Sequence, residues 1–202
     1  MTLEPPANTY DSTKLPFRQH AMLRYSNNGG GDSHELAIRY VNEALSREHL
    51  TIYISANTDN IVNISGIPER NTSKIINYED KVNRGDLLTL NYESFYKYAL
   101  DGNMQPLEEL KVITEEAINE TTASGKSNEV TIVNGLSGSL AANQEFDSSI
   151  NVEKWAENTH SEWLKKGLQV TIICLHPRSM LDKSELMHYK QAMSSLHTTT
   201  LL

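Results

Sequence analysis

The stretch that decides the fold is His20-Ala21-Met22-Leu23-Arg24-Tyr25-Ser26-Asn27-Asn28-Gly29-Gly30-Gly31-Asp32-Ser33. Its first six residues read as a strand, and the polar, glycine-rich segment that follows reads as a tight turn. Asp32 or Ser33 then caps a helix, because a short oxygen-bearing side chain can accept a hydrogen bond from a free backbone N–H of the first turn. Leu36, Ala37, Tyr40, Val41, Ala44 and Leu45 recur at helical spacing, and a second strand, Leu50–Ser55, follows. The segment between the two strands is long enough for a crossover, so the strands are expected to run parallel.

The same alternation continues outward. Asp86–Asn91 reads as a strand, and 74–84 as a helix stopped by Gly85. Tyr92–Leu100 reads as a short aromatic helix. Leu107–Thr121 reads as an amphipathic one with Leu107, Leu110, Ile113, Ala117 and Ile118 on its apolar face. Val130–Val133 and Val170–Leu175 are apolar runs rich in β-branched residues, the pattern of central parallel strands covered on both faces. Gly135–Gly138 reads as a turn, 140–146 and 152–166 as helices, and 183–196 as a last helix. Strands alternating with helices give an α/β fold of three layers, a mostly parallel central sheet flanked by helices. Residues 1–17, rich in Pro, Thr and Asn, are expected to form a flexible segment or a strap over one domain spanning 18–202.

Ligands of open parallel sheets bind beyond the carboxyl ends of the strands. The loop Ser26–Ser33 occupies such an end and has the length and setting of a phosphate-binding P-loop, G-x-x-x-x-G-K-[ST]. Gly31 stands at the last glycine and Ser33 at the hydroxyl, but Ser26 replaces the first glycine and Asp32 replaces the lysine. An ionised carboxylate cannot donate to a phosphate. Two unit charges about 4 Å apart interact by a few kcal/mol at an intermediate dielectric, so the exchange turns an attraction into a repulsion of that size. The strand Val130–Val133 ends in Asn134, where an ATPase places the aspartate that organises Mg²⁺. The ligand-binding residues expected are therefore Asn27, Asn28, Gly29, Gly30, Gly31, Asp32, Ser33, His34 and Asn134, around a neutral, cationic or polar molecule. Gly125-Lys126-Ser127 spells the end of a P-loop, but it follows a helix and precedes a strand, the inverse of the required setting.

Several function classes are disfavoured. The net charge is −8, and no Lys/Arg cluster forms a nucleic-acid footprint. No apolar run reaches membrane-spanning length and the N-terminus lacks a signal pattern, so the cytoplasm is the expected compartment. Cys174 is the only cysteine; within Val170–Leu175 it reads as a small buried hydrophobe. His20, His34, His160, His176, His188 and His197 are scattered, with no pair at helical spacing and no Cys/His cluster, so neither metal nor cofactor is expected. His176 reads as a strand-end or satisfied surface histidine. Trp155 and Trp163 read as packing residues, and Glu108, Glu109, Glu115 and Glu116 as a solvated helix face.

Gly29 to Leu45, Leu50 to Ser55 and Val130 to Leu140 resemble a RecA/KaiC-type ATPase domain with both nucleotide motifs eroded. More closely, the chain resembles the DcmR-type sensory domain, MEDS, of methanogens, methylotrophs and related microbes. The residues that carry the likeness are His20, Tyr25, Gly85-Asp86-Leu87, Tyr96, Cys174, His176-Pro177 and Leu196-His197. The resemblance implies a RecA-like fold without ATPase activity, archaeal or bacterial, that senses a small molecule and signals through a separate regulatory protein. The contrasting reading is a weak or atypical nucleotide-binding enzyme. A homo-oligomer is compatible with both.

Overall fold

The computed structural model describes residues 9–10, 14–26, 33–55, 73–125 and 128–201. The chain alternates strand and helix. β1 is Thr9–Tyr10, β2 His20–Tyr25, α1 Ser33–Ser46, β3 Leu50–Ser55, α2 Tyr78–Asn83, β4 Leu87–Asn91 and α3 Glu93–Leu100. The second half contributes α4 Gln105–Ala123, β5 Glu129–Asn134, α5 Leu136–Ala142, α6 Phe146–Lys165, β6 Gln169–Pro177, α7 Arg178–Leu181, α8 Met187–Leu196 and β7 Thr199–Leu201. Among the described residues, seven strands form one sheet in the order β1-β7-β2-β6-β5-β3-β4, with every pairing parallel.

The order explains the layers. From β2 the chain moves one way along the sheet to β3 and β4, and then returns through β5, β6 and β7. Right-handed crossovers travelling in opposite directions place their helices on opposite faces. Accordingly α1 packs on the face bearing Ala21, Leu23, Tyr53, Leu87, Val133, Ile173 and Leu175. The helices of the return path cover Leu50, Ile52, Ile54, Val130, Ile132, Val170, Ile172 and Cys174. Successive residues of each strand alternate between the two layers, the period of two that a pleated strand imposes. The expected α/β architecture is thus present, with β5 and β6 central and buried.

Several local readings change. Gly135–Gly138 is not a turn: helix α5 begins at Leu136. Gly138 has no Cβ to hold the helix off the sheet, and one built there would lie 1.9 Å from Leu175 O. In 74–84 only Tyr78–Asn83 is α-helical, because Asn77 takes a left-handed conformation, φ 54°. On α4 the buried row is Leu107, Leu110, Thr114 and Ile118, whereas Ile113 is 50 % exposed. Spacings of three and four keep those four residues on one stripe, and Ile113 lies one residue, about 100°, away from it. Trp163 donates to Glu115 at 2.9 Å and Trp155 to Glu108 at 2.7 Å, so these two glutamates dock α4 on α6 instead of forming a purely solvated face. Near the N-terminus, β1 pairs with β7, Leu15 is buried, and Pro16 O accepts a hydrogen bond from Thr171 Oγ1 at 3.2 Å. No described helix is long and apolar enough to cross a membrane.

Candidate functional site

The reversal of chain direction opens a cleft at the carboxyl edge. The loop after β2 leads to α1 on one face, and the segment after its neighbour β6 leads to helices on the other; β3 and β5 repeat the divergence. Crevices form where connections part in this way. A cleft of about 190 Å³ lies there, walled by Tyr25, His34, Ala37, Tyr53, Ile54, Ser55, Tyr92, Gly135, Ser139, Ala142 and Leu175. His34 Nδ1 lies 3.4 Å from Tyr53 Oη and 3.5 Å from Ser55 Oγ. Burial pushes the Tyr92 phenol up, against the opposing effect of a hydrogen bond with Ser139, so the phenol stays neutral and available to donate.

The structure divides the residues expected at this site. His34 lines the cleft. Ser33 begins α1. Asn27, Asn28, Gly29, Gly30, Gly31 and Asp32 lie outside the described residues. Asn134 is not among the cleft walls: its side chain faces the opposite layer, beside a void of about 20 Å³ bordered by Trp163 and Ile172. Its Oδ1 accepts the Leu136 backbone N–H at 2.9 Å, capping α5. The backbone of the next residue, Gly135, reaches the cleft instead.

A second cluster lies under β2 and β6, on the face covered by α6 and α8. In the β2–β6 register His20 pairs with Ile172 and Met22 with Cys174. His20 and Cys174 are therefore diagonal neighbours on one face, within reach of each other's side chains. His176 is two residues beyond Cys174 on the same face. Glu153 comes from the middle of the buried stripe of α6, which also carries Ile150, Ala156, His160 and Trp163. His197 follows the last residue of α8. Glu153 Oε2 lies 3.1 Å from His20 Nε2 and 3.1 Å from His197 Nε2. Cys174 Sγ is 3.4 Å from His20 Nε2. Glu153 Oε1 lies 3.1 Å from His176 Nε2 and accepts a hydrogen bond from the Ser137 hydroxyl. His176 Nδ1 reaches Tyr189 Oη at 3.2 Å. Side-chain exposure is 0 % for His20, Glu153 and His176 and 1 % for His197.

Electrostatics tie this cluster together. Burial alone would raise the Glu153 carboxyl; His197 nearby and contacts from His176, His197 and His20 outweigh it and hold the group well below the usual carboxylate range. Burial works against the His20 imidazolium. Contacts with Cys174, Glu153 and Glu157 outweigh it and hold the imidazole above its ordinary value, while burial pushes the Cys174 thiol up to about 12. Burial pulls His197 down despite Glu153.

Along the chain these histidines are scattered, and His176 reads as a strand-end or surface residue. The fold makes His176 fully buried and gathers His20, Glu153, Cys174 and His197 so that one donor atom from each lies within 4.8 Å of the others. Two signals were present in the chain: the alternation Cys174, His176 in a strand, and a carboxylate, Glu153, in the apolar stripe of a helix. Comparison with protein-family models and with curated proteins gave no match.

Proposed function

We propose that the chain is a non-catalytic sensory domain that binds a compact small molecule in the carboxyl-edge cleft and acts through a separate signalling protein. The observation that carries this reading is the cleft itself, at the point where the connections diverge, with a volume of about 190 Å³. An apolar cavity of about 150 Å³ holds a molecule the size of benzene, so the space suits a ligand of about six to ten non-hydrogen atoms. Tyr92, Ser55, Ser139 and His34 offer polar contacts, while Ile54, Ala37, Ala142 and Leu175 supply apolar wall. That mixture suits a neutral, partly polar ligand.

Two features argue against nucleotide chemistry. Asp32 stands where a P-loop places lysine. Asn134 is neutral, and its oxygen is committed to capping α5, so it is a poor substitute for a metal-organising aspartate. The test is NMR titration with phenol as a neutral probe of the right size, and with Mg-ATP. Phenol is expected to shift the resonances of His34, Tyr53 and Ser139 and to lose that effect in Ser139→Phe, which fills the cleft. Micromolar, magnesium-dependent ATP binding, or phenol shifts centred away from this edge, would overturn the reading.

A further inference from the structure

From the convergence of His20 Nε2, Glu153 Oε2, Cys174 Sγ and His197 Nε2 between β2, β6, α6 and the end of α8, we infer a buried binding site for one divalent transition-metal ion of the zinc type. This site is separate from the cleft and does not depend on the sensory reading.

The imidazole tautomers point to it first. His20 Nδ1 lies 2.8 Å from Leu196 O, and His197 Nδ1 lies 2.7 Å from Met193 O. A carbonyl oxygen only accepts, so each Nδ1 carries a proton and Nε2 is the ligand atom, its lone pair bare in the neutral ring; at His20, whose imidazolium the cluster favours, the ion must displace the Nε2 proton on binding. Metal-binding histidines have this arrangement: one nitrogen donates to a carbonyl, which fixes the ring and leaves the other nitrogen for the ion. Here both lone pairs face a carboxylate oxygen and a sulfur.

Beside the Cys174–His20 hydrogen bond, the cluster holds two buried polar atoms that hydrogen bonding leaves unsatisfied. Among the described residues, Glu153 Oε2 and His197 Nε2 make no hydrogen bond, although they are 3.1 Å apart. Two buried polar atoms left unsatisfied at this separation call for a partner, and a cation lying between them supplies one. Bonds of about 2.0–2.3 Å in a tetrahedral zinc site place the ligand atoms roughly 3.3–3.7 Å from one another. The 3.4 Å contact falls in that range and the two 3.1 Å contacts just below it, while all four donor atoms lie within 4.8 Å of one another, so small side-chain shifts would complete the tetrahedron.

Charge balance is compatible with the ion. A dication with one thiolate, one carboxylate and two neutral imidazoles has no net charge, which suits a site removed from water. A single imidazolium beside the Glu153 carboxylate and a neutral thiol would be neutral too, but it would leave His197 Nε2 without a hydrogen-bond partner among the described residues. Nitrogen and sulfur donors select zinc-like ions over Mg²⁺ or Ca²⁺, which prefer all-oxygen sites. Four protein donors close the coordination sphere, the mark of a structural site more than of a catalytic one. Ser137 and His176 hold the other carboxylate oxygen, so Oε2 is presented alone. The donors come from β2, α6, β6 and the α8–β7 junction, so the ion would staple the C-terminal strand to the sheet.

The test uses the full chain, stripped with a chelator and titrated with Co²⁺ and then Zn²⁺. One Co²⁺ per chain is expected, with the intense visible bands of tetrahedral coordination and a thiolate-to-cobalt charge-transfer band. Zn²⁺ should displace it and raise the melting temperature. Cys174→Ser, nearly isosteric, should remove the charge-transfer band while the chain stays folded. Both Cys174→Ser and His197→Gln should weaken Zn²⁺ binding by more than about 100-fold, beyond the usual effect of residues that merely support ligands. Circular dichroism checks each variant, and only folded variants count. Absence of stoichiometric Co²⁺ binding by the folded chain would overturn the inference. So would a spectrum without the thiolate band, or undiminished Zn²⁺ affinity in folded Cys174→Ser.

Discussion

Replacing Gly138 by alanine should destabilise the protein by about 2 kcal/mol. Gly138 is buried in α5, and a Cβ added to it would sit 1.9 Å from Leu175 O and 2.9 Å from Leu175 C. Contacts under 3.0 Å are essentially never seen for a real Cβ, so α5 and β6 must separate by roughly 1 Å, and the obstacle is backbone that cannot rotate away. Overpacking costs about 1–3 kcal/mol, occasionally more, and a contact this short against backbone sits at the top of that range, about 3 kcal/mol. The better helix propensity of alanine returns at most about 1 kcal/mol. For a chain of this size, a net loss of about 2 kcal/mol lowers the melting temperature by about 4–8 °C. The displacement also reaches function, because Ser137 and Ser139 flank the position: one donates to Glu153 and the other lines the cleft. The assay is urea denaturation with the m-value monitored, beside Gly102→Ala as a control. Gly102 has φ 71° and nothing within 4 Å of an added Cβ, so the control should pay only the left-handed backbone penalty of about 1–2 kcal/mol and leave cleft and cluster unaltered. If Gly138→Ala stays within about 0.5 kcal/mol of the parent at unchanged m, the close packing of α5 on β6 is refuted.

Three further outcomes are expected. Thr114 is fully buried and, among the described residues, its hydroxyl has no hydrogen-bond partner, so Thr114→Val should be neutral or stabilise by about 1 kcal/mol in thermal denaturation; a loss would reveal a hidden partner. Trp163→Ala empties a fully buried site and removes the hydrogen bond to Glu115; it should cost about 3–5 kcal/mol, read as a lower urea midpoint. His49, beside Glu129 and 3.0 Å from Thr131 Oγ1, has its imidazole lowered, chiefly by burial, which Glu129 only partly opposes. Because the unfolded chain then binds the proton more readily, this contribution is fully present above about pH 6.5 and declines as pH falls through the folded value. Urea midpoints from pH 8 to 5 should fall less steeply in His49→Gln, and equal slopes would contradict the assignment.

Much of the architecture was legible because it follows from short-range rules. The glycine-rich segment between His20–Tyr25 and α1, and the apolar runs at Val130–Val133 and Val170–Leu175, announce parallel strands through composition alone. Short elements were less legible. The start of α5 reads as a turn, with a helix only from Leu140, because Gly135 and Gly138 look like breakers, and only the close approach to Leu175 shows what Gly138 is for. Ile113 was placed inside because an apolar residue near a stripe is ambiguous by one position, and packing against α6 chose Thr114 instead.

By itself the sequence determined the class of fold and put a carboxylate, Asp32, and a neutral amide, Asn134, after two of its strands, since each depends on residue type at a local spacing. Only the tertiary structure decided which way Asn134 points, because the pleat of β5 and the start of α5 turn its side chain from the cleft. It also decided that His20, Glu153, Cys174 and His197 share one point. Those residues are separated by up to 177 positions in the chain and meet through the parallel pairing of β2 with β6 and the packing of α6 and α8 over it. Spacing along a chain reports on neighbours within one helix or strand; it carries no information about which strand lies beside which, and that adjacency builds the cluster.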